Sequence, residues 1–512
     1  MKKFRGILIA SLAIAIFAGL SLTTVTGCGG GSTPTPTPTP TPSQVFPNDT
    51  SGAQSAPIKL GTSGGNGNDV GPKFCCIGTL GSLWTRADLP NPVVLSNNHV
   101  LDKSDQGVAG DPIIQPLQSA CLGPTAPAPL TVAHLTQAAH IKPASNETSA
   151  GSPCAGDTTK AALCGQAPDN VDVAIAEVVP GQVDATGLIL DQGAAGATSI
   201  AAAAPSSTLG SPSISEAVSK SGRTTGLTCS TIQSLSTTIL IDYDAACGDT
   251  TAAFTSYYRN QMVIAGGSFS AGGDSGSLIV DTNSARAVGL LYGGNSVSTT
   301  ANLLADTIDG KGNPAPGVIS KLSSVAGTLT IVGGPDHSIS CARTATANAA
   351  QVGTAQSALV PAERQRVAAV EKARMKSLVR DFGLASVEIG PSADNPAEGA
   401  LVLHVSAKSV PAVPAVIDGV RTRLVFDNAE FAAQIHITQQ QFTQGAAVKE
   451  AHVAEFLGKG GIQGVGVSVS SDNPAEPAIS FYTTQGIAHP AIPPVIDGIR
   501  TKVIEGTRFR TY

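Results

Sequence analysis

Short apolar runs alternate with polar turn residues along much of the chain. Between about residue 58 and residue 334, runs rich in Val, Ile, Leu and Thr are separated by clusters of Gly, Pro, Asn and Asp. Five of these runs are residues 93–96, 171–179, 237–241, 277–280 and 287–292. Runs of this length and spacing predict short strands joined by turns, and so an all-β barrel or sandwich.

A helical pattern follows this β region. Residues 361–382 begin with Pro, and Met375, Leu378, Val379 and Phe382 give apolar positions spaced i, i+3, i+4 and i+7. This pattern predicts a helix, because Pro is favoured at a first helical position and the stripe forms one apolar face. The preceding residues, rich in Ala, Thr, Gln and Gly, predict a linker at 342–360.

The rest of the chain contains an internal repeat. Asp-Asn-Pro-Ala-Glu at 394–398 recurs at 472–476, and the Pro-rich segment 414–423 recurs at 493–502. Each copy predicts a helix, a strand, a turn, a strand, a loop and a strand, and so two α+β modules at 361–430 and 431–512. The carboxylates of the first motif fit either a turn or a metal site, whereas the Ile-Asp-Gly unit of the second predicts a tight turn. The modules could contact the cell envelope, a substrate or the preceding domain.

Composition narrows the class of protein. Aromatic residues make up 4% of the 512 residues and charged residues 13%, with 56 Gly and 34 Pro. A coiled coil or long helical bundle is excluded, because it would be rich in Glu, Lys and Leu. The net charge is −6 and Lys/Arg residues do not cluster beyond the N-terminus, so nucleic acid is not an expected partner.

The N-terminus has the pattern of an export signal. Three basic residues precede an apolar run at 6–22, and Val-Thr-Gly-Cys at 25–28 resembles the bacterial lipoprotein cleavage box. This predicts a signal peptide at 1–27, lipidation of Cys28 and a membrane-anchored protein of the cell envelope; the alternative is an uncleaved anchor helix. Thr-Pro repeats within 28–57 predict an extended stalk. Gly29, rather than Asp, favours the outer membrane.

Cysteine usage agrees with export. Setting Cys28 aside leaves eight of the nine cysteines, all before residue 342, and their spacing matches no zinc motif. From their proximity in sequence, two local disulfides are predicted, Cys229–Cys247 and Cys154–Cys164. No metal or organic cofactor is expected.

Three segments of the β region place chemically useful side chains beside predicted strands. His99 follows the run at 93–96, Asp172 lies in an apolar run, and Ser275 lies in the Gly-rich turn 272–276. A serine hydroxyl needs a base to become nucleophilic, and a buried carboxylate orients and stabilises that base. The N–H groups of Gly273 and Ser275 would face the developing oxyanion.

These segments resemble the chymotrypsin/trypsin superfamily of serine proteases. The stretch Ser-Gly-Arg-Thr-Thr-Gly at 221–226 is similar to one in bacterial alpha-lytic and streptogrisin-type proteases, and the segments 75–81 and 272–279 resemble the plant narrow-leaf proteins and their bacterial relatives. The resemblance implies a double six-stranded β-barrel at 58–341 with the active site between the barrels. It also implies that His99 is the general base, Asp172 orients it and Ser275 is the nucleophile.

The resemblance implies further roles and shows departures. Phe269 stands where trypsin-like enzymes have the acid that selects Lys or Arg, and Leu291, Tyr292 and Gly293 would form another wall of the specificity pocket. By analogy with alpha-lytic protease, Lys220 would form a buried pair with Asp274. The cysteine that precedes 221–226 in that enzyme is Ser219 here, which favours Cys247 as the partner of Cys229.

The function expected from the sequence is that of an exported serine endopeptidase that acts on protein or peptide substrates through an acyl-enzyme. Two alternatives stay open. One is a protease-like fold that has lost turnover and serves as an envelope binding or scaffold protein, and the other is an esterase.

Overall fold

Strands form most of the regular structure of the chain. The computed structural model describes residues 48–71, 74–75, 77–117, 128–144, 170–194, 199–244, 252–324, 327–341, 359–406 and 408–511. The prediction of a mainly β fold is confirmed for these residues. Lipidation at Cys28, the predicted pair Cys154–Cys164, and the linker up to residue 358 lie outside the described residues.

Eighteen strands and two short helices precede residue 342 in the described chain. The strands are β1 (Thr62–Asn66), β2 (Val70–Gly71), β3 (Phe74–Cys75), β4 (Gly78–Leu80), β5 (Ser82–Thr85), β6 (Val93–Ser96), β7 (Pro112–Gln115), β8 (Leu130–Ala138), β9 (Ala174–Val178), β10 (Ala217–Gly222), β11 (Gly226–Asp244), β12 (Ala252–Ala265), β13 (Leu278–Asp281), β14 (Ala287–Gly294), β15 (Ser298–Leu303), β16 (Thr307–Ile308), β17 (Pro314–Ala315) and β18 (Thr330–Ile331). The helices are α1 (Asn98–Leu101) and α2 (Val318–Leu322).

The modules supply the remaining elements. These are α3 (Pro361–Phe382), β19 (Ser386–Pro391), β20 (Gly399–Val405), β21 (Val416–Ile417), β22 (Val420–Phe426), α4 (Ala429–Ala432), α5 (Gln439–Phe456), β23 (Ile462–Val469), β24 (Pro477–Thr484), β25 (Val495–Ile496), β26 (Ile499–Gly506) and β27 (Arg510–Thr511). Each module has the same order of elements: a long helix, two antiparallel strands and a short hairpin. The second strand of the hairpin pairs parallel with the second strand of the antiparallel pair.

Two large sheets organise the β region. The first has eight strands in the order β18-β5-β6-β9-β8-β7-β1-β4. In the second, β10-β13-β14-β15-β12-β11 form a closed ring, because β10 pairs with β11 as well as with β13. The strands bury apolar residues on both faces, and Trp84 and Leu290 are completely inaccessible within one core cluster that includes residues of both sheets.

The long strand β11 joins the ring to the second module. Its register with β12 shifts four times, and Ser236 and Asn260 have positive φ angles of 48° and 52° near these shifts. Such irregularities bend a strand. One edge of β11 pairs with β23, so the sheet of the second module continues the sheet of the ring.

The predicted helix at 361–382 is confirmed as α3, which ends at Gly383 with φ 64°. The predicted apolar stripe is partly wrong. Val367 and Leu378 are buried, but Met375 is 40% exposed, because the sheet β19–β22 covers the face that contains Val367.

The predicted tight turns are confirmed. Asp418 and Gly419 have φ angles of 46° and 80°, and Asp497 and Gly498 have 44° and 81°. Positive φ at both central residues is typical of the two-residue turn that matches the twist of a hairpin.

The two modules contact each other through reciprocal hydrogen bonds. The Arg421 guanidinium donates to the Thr501 carbonyl at 2.8 Å, and the Arg500 guanidinium donates to the Thr422 carbonyl at the same distance. Both arginine side chains are 1% exposed. Equivalent residues therefore exchange equivalent contacts, as in an isologous dimer.

The repeated Asp residues also cross between the modules. Ser470 Oγ donates to Asp394 Oδ2, and Ser392 Oγ donates to Asp472 Oδ2, at 2.5 and 2.6 Å. Each motif also forms a local turn, in which the Asn395 side chain donates to Glu398. The turn interpretation is thus correct for Asn395 but incomplete for Asp394, whose carboxylate stabilises the other module.

Candidate active site

His99 and Asp172 come together at the end of β6. His99 lies in α1, shortly after β6, and Asp172 lies two residues before β9, which pairs with β6. Nδ1 of His99 is 2.6 Å from Oδ2 of Asp172, and the His99 backbone N–H donates to Oδ1 at 3.3 Å. The Asp172 side chain is completely buried and that of His99 is 10% exposed. A buried carboxylate on Nδ1 fixes the imidazole tautomer and leaves Nε2 as the basic nitrogen.

Asn302 and Asn97 hold the Asp172 backbone. Asp172 N–H donates to Asn302 Oδ1 at 3.2 Å, and the Asn302 amide returns a hydrogen bond to the Asp172 carbonyl at 3.1 Å. The Asn97 amide donates to the same carbonyl at 2.7 Å. These contacts fix the backbone on both sides of the carboxylate.

Tyr243 is a further member of the site that the sequence analysis did not find. Its hydroxyl donates to Asp172 Oδ2 at 2.7 Å, and its ring is stacked on Phe254. Burial and the Asp172 charge raise the pKa of Tyr243 well above its usual value, so the hydroxyl keeps the proton it donates. The alternation of Ile241 and Tyr243 with Asp242 and Asp244 could have suggested an inward side chain at position 243 but not its partner.

Ser275 lies in a tight turn that leads into β13. Gly273 and Gly276, on either side of Ser275, have φ angles of 96° and 93°, which side chains rarely adopt. A Cβ at Gly276 would lie 2.0 Å from Ser96 Oγ and 2.3 Å from the Thr79 carbonyl oxygen. Glycine is therefore required at position 276, where the turn packs against the first sheet.

Thr79 connects the serine turn with the end of β6. Its N–H donates to the Ser275 carbonyl at 2.8 Å, and its carbonyl accepts from Ser96 Oγ at 2.7 Å. Ser96 is the last residue of β6, three positions before His99. The structure thus brings the segments of the predicted base and nucleophile to the same place between the two sheets.

The N–H groups of the turn fall into two sets. Those of Asp274, Gly276 and Ser277 donate to backbone carbonyls at 3.0, 2.8 and 3.0 Å. Those of Gly273 and Ser275 donate no hydrogen bond to any residue that the structure describes. They are the two donors that the sequence analysis assigned to the oxyanion hole. The Ser275 hydroxyl itself donates to the Tyr292 carbonyl at 3.1 Å.

Lys220 and Asp274 form a buried pair beneath the turn. Lys220 Nζ is 3.5 Å from Asp274 Oδ2, and both side chains are fully inaccessible. Asp274 also accepts from the N–H groups of Thr224, Thr225 and Ala271 and from the Thr225 hydroxyl. Burial lowers the pKa of Lys220, and the Asp274 charge opposes this shift. The pair joins the serine turn to the end of β10 and the loop after it.

The residues suggested for the specificity pocket are buried. Phe269 and Leu291 belong to one core cluster and Tyr292 to another, and the Phe269 ring lies 5.9 Å from Lys220 Nζ. Gly293 pairs with Thr511 of β27. A cavity of about 550 Å³ lies elsewhere, between the ring and the second module; Leu235, Val288, Leu303, Phe442 and Ala446 are among the residues that line it.

The predicted disulfide Cys229–Cys247 is wrong, because Cys229 is bonded to Cys341. Cys229 lies near the start of the 19-residue strand β11, and its bond to Cys341 spans 112 positions of the sequence. The bond instead ties the β10–β11 hairpin to the segment that leaves the β region.

No helix in the described ranges is long and apolar enough to cross a membrane. No group of three or more His, Cys, Asp or Glu side chains in this part of the chain could hold a metal ion.

Comparisons with known proteins found similarity at the level of structure alone. No family model and no curated protein matches the chain. Nocardiopsis protease is 15% identical, with a TM-score of 0.29 over 48% of this chain and 92% of its own. Protease A of Thermobifida fusca is 14% identical, with a TM-score of 0.29 over 54% of this chain and 99% of its own. A glutamic-acid-specific serine protease gives a similar match at 15% identity, with a TM-score of 0.29 over 48% of this chain and 93% of its own. These values are too low to assign an activity, so the site is interpreted from its geometry.

Proposed function

We propose that the chain is a serine endopeptidase with Ser275 as nucleophile, His99 as general base and Asp172 as the carboxylate that orients His99. The observation that carries the proposal is the pair of N–H groups at Gly273 and Ser275, which donate to no described residue in a turn whose other three N–H groups are bonded. Two such donors beside a serine hydroxyl fit a developing oxyanion, and losing one donor costs about 10²–10³ in rate.

The reaction proceeds in two steps, acylation of Ser275 and hydrolysis of the acyl ester. Ser275 Oγ attacks the peptide carbonyl carbon while its proton passes to Nε2 of His99, and the oxyanion accepts from the N–H groups of Gly273 and Ser275. The C–N bond then breaks, the amine leaves with the proton from His99, and an acyl ester remains on Ser275. Water attacks this ester with His99 again as base, which releases the carboxylic acid and restores the Ser275 hydroxyl.

The surrounding residues prepare this chemistry before the substrate binds. Asp172 stabilises the imidazolium that forms on His99, and Tyr243 donates to the same carboxylate oxygen. Asp274, which forms the buried pair with Lys220, lies between Gly273 and Ser275 in the chain, so this pair holds the backbone that carries the two donors. Preorganised dipoles of this kind need no rearrangement as charge develops.

The proposal extends to the architecture and location of the enzyme. The eight-stranded sheet and the six-strand ring would correspond to the two barrels of a trypsin-like enzyme, with the site between them. Residues 1–27 would be an export signal, Cys28 the lipidated residue and 28–57 a stalk, which places the enzyme on an envelope membrane, the outer one where the cell has two. Protein or peptide chains would be the substrates.

A fluorophosphonate probe tests the proposal on the full chain. Wild type should be labelled, and the Ser275→Ala and His99→Ala variants should not. Ser207→Ala and His134→Ala are matched controls, because both side chains are exposed away from the site, and they should be labelled like wild type. A mixed peptide library and a panel of esters then separate an endopeptidase from an esterase. A folded, oxidised wild type that neither reacts with the probe nor hydrolyses a substrate would refute the proposal and favour a binding or scaffold protein.

A further inference from the structure

Strand β14 offers one edge to three successive partners. The opposite edge of β14 pairs with β15 as far as Gly294. β13 pairs with the first edge only between Ala287 and Leu290. The serine turn follows, with hydrogen bonds from Gly276 N–H to the Leu291 carbonyl and from Leu291 N–H to the Ser277 carbonyl. Beyond the serine turn, the same edge continues to Gly293 and Gly294.

That edge is occupied by the chain itself. β27 pairs antiparallel with β14, so that Thr511 lies opposite Gly293 and Arg510 opposite Gly294. The tail therefore runs from Gly294 toward Tyr292, whose carbonyl accepts the hydrogen bond of the Ser275 hydroxyl. The Arg510 carbonyl oxygen would be only 2.4 Å from a Cβ at Gly293, so the two backbones are in close contact.

Residues 507–511, which we name the tail, are fixed at several points. Thr507 exchanges two 3.0 Å hydrogen bonds with Ser296. Phe509 is completely buried, and its carbonyl accepts from Asp242 N–H. Phe509 belongs to the core cluster that also contains Tyr243 and Tyr292, and its ring packs edge-on against that of Tyr482.

Two ion pairs complete the attachment of the tail. Arg508 donates to both carboxylate oxygens of Asp242 at 2.7 and 3.0 Å, and Arg510 donates to Asp244 at 2.9 Å. The Arg508 side chain is half exposed, so its removal leaves the core of the module intact.

We infer that the tail blocks the active site in cis, because it fills the strand edge along which a peptide substrate of Ser275 must extend. This inference rests on the proposed function. An extended substrate would pair with β14 beside the serine turn, where the tail now pairs. The tail must therefore leave before a long peptide binds, and the apparent affinity for peptides equals the intrinsic affinity multiplied by the fraction of molecules in which the edge is free. A small probe that needs only Ser275 is affected less.

The test compares wild type with a double variant, Arg508→Ala/Arg510→Ala, and with a chain that ends at Gly506. Arg374→Ala/Arg380→Ala is the matched control, because these exposed arginines of α3 form ion pairs with Asp418 and Asp381, remote in sequence from the tail. Fluorophosphonate labelling and hydrolysis of eight-residue quenched peptides are measured for each. We expect the tail variants to hydrolyse peptides about ten-fold faster than wild type, as for a tail that is docked about 90% of the time. A synthetic peptide of residues 506–512 should inhibit them competitively.

Failure of this inference differs from failure of the proposed function. Equal peptide hydrolysis by wild type and both tail variants would overturn the block and leave the protease assignment standing. If neither wild type nor a tail variant reacts with the fluorophosphonate, the protease assignment fails. The inference that the tail blocks the edge of β14 is then tested by peptide binding alone. In a Ser275→Ala background, fluorescent eight-residue peptides that bind the tail variants but not the parent protein would support the block; equal binding, or none, would overturn it.

Discussion

The Tyr243 hydroxyl donates to Asp172 Oδ2, the same oxygen that lies 2.6 Å from His99 Nδ1. One carboxylate oxygen thus serves the proposed base and a buried phenol together. Because Tyr243 lies in β11 of the second sheet and Asp172 lies two residues before β9 of the first, this contact connects the two sheets at the proposed catalytic pair.

Substitution of Tyr243 by Phe should lower kcat/KM without unfolding the protein. A hydrogen bond to a charged group is worth about 1.5–3 kcal/mol, so the expected loss is about 10- to 100-fold. Tyr257→Phe, a half-buried tyrosine of β12, is the control and should keep the wild-type kcat/KM. Equal kcat/KM for wild type and the Tyr243→Phe variant would show that the hydrogen bond to Asp172 does not contribute.

Substitution of Lys220 by Met should destabilise the protein and slow labelling of Ser275. Removing one partner of a buried pair leaves an uncompensated charge, at a cost of about 3–5 kcal/mol. We expect the lower end of this range, because Asp274 keeps four other donors. Thermal unfolding and the fluorophosphonate rate measure the two effects, with the exposed Lys59→Met as control. Wild-type values for both quantities would show that the pair does not shape the serine turn.

The sequence predicts those features whose signal is local. The strand at residues 93–96, the helix at 361–382 and the Ile-Asp-Gly turns follow from periodicity, a first-position proline and the positive φ that glycine permits. His99, Asp172 and Ser275 could be nominated because each has a recognisable neighbourhood in the sequence.

Contacts between distant segments could not be predicted in this way. Tyr243 lies 71 positions from Asp172, and Cys229 lies 112 positions from Cys341. Neither pair has a spacing rule, because strand order in the sheets determines which distant residues meet. The same reason explains Asp394, whose local sequence predicts a turn although its carboxylate bonds to the other module.

The interface between the modules should lose stability as the pH rises. Burial, and next the Asp394 charge, raise the pKa of Asp472 from 3.8 to about 6, while Arg500 opposes the rise. Between these two values the folded state binds the proton more tightly than the unfolded state, so the free energy of unfolding falls from about pH 4 to about pH 6. Lys502 also faces this site, and burial lowers its pKa.

Substitution of Asp472 by Asn should remove this dependence. The amide stays neutral, so the midpoint of thermal unfolding should change less between pH 4 and pH 6 than in wild type. Asp418→Asn is the control, because Asp418 is exposed and Arg374 lowers its pKa, whereas the pKa of Asp472 is raised. An equal pH dependence in wild type and the Asp472→Asn variant would contradict the prediction.

Peptide hydrolysis by wild type should rise with salt if the tail blocks the edge of β14. The Arg508–Asp242 and Arg510–Asp244 pairs are partly exposed, and the Debye length falls from about 30 Å at 0.01 M salt to about 3 Å at 1 M. Screening should therefore release the tail. The double variant Arg508→Ala/Arg510→Ala should show little salt activation, whereas the Arg374→Ala/Arg380→Ala control should respond like wild type. Activation of equal size in the double variant would assign the salt effect to another part of the protein.

Substitution of Cys341 by Ser should destabilise the β region. The disulfide closes a loop of 112 positions, and a loop of about 100 residues corresponds to roughly 4.7 kcal/mol in the chain-entropy model. Because the bond ties the β10–β11 hairpin to the segment that follows the β region, its loss should loosen the strand that carries Lys220 and slow labelling of Ser275. Urea unfolding followed by near-ultraviolet circular dichroism measures the stability. Cys229→Ser should give the same loss, and the double variant no more than either single one; additive losses would mean that the two cysteines act independently.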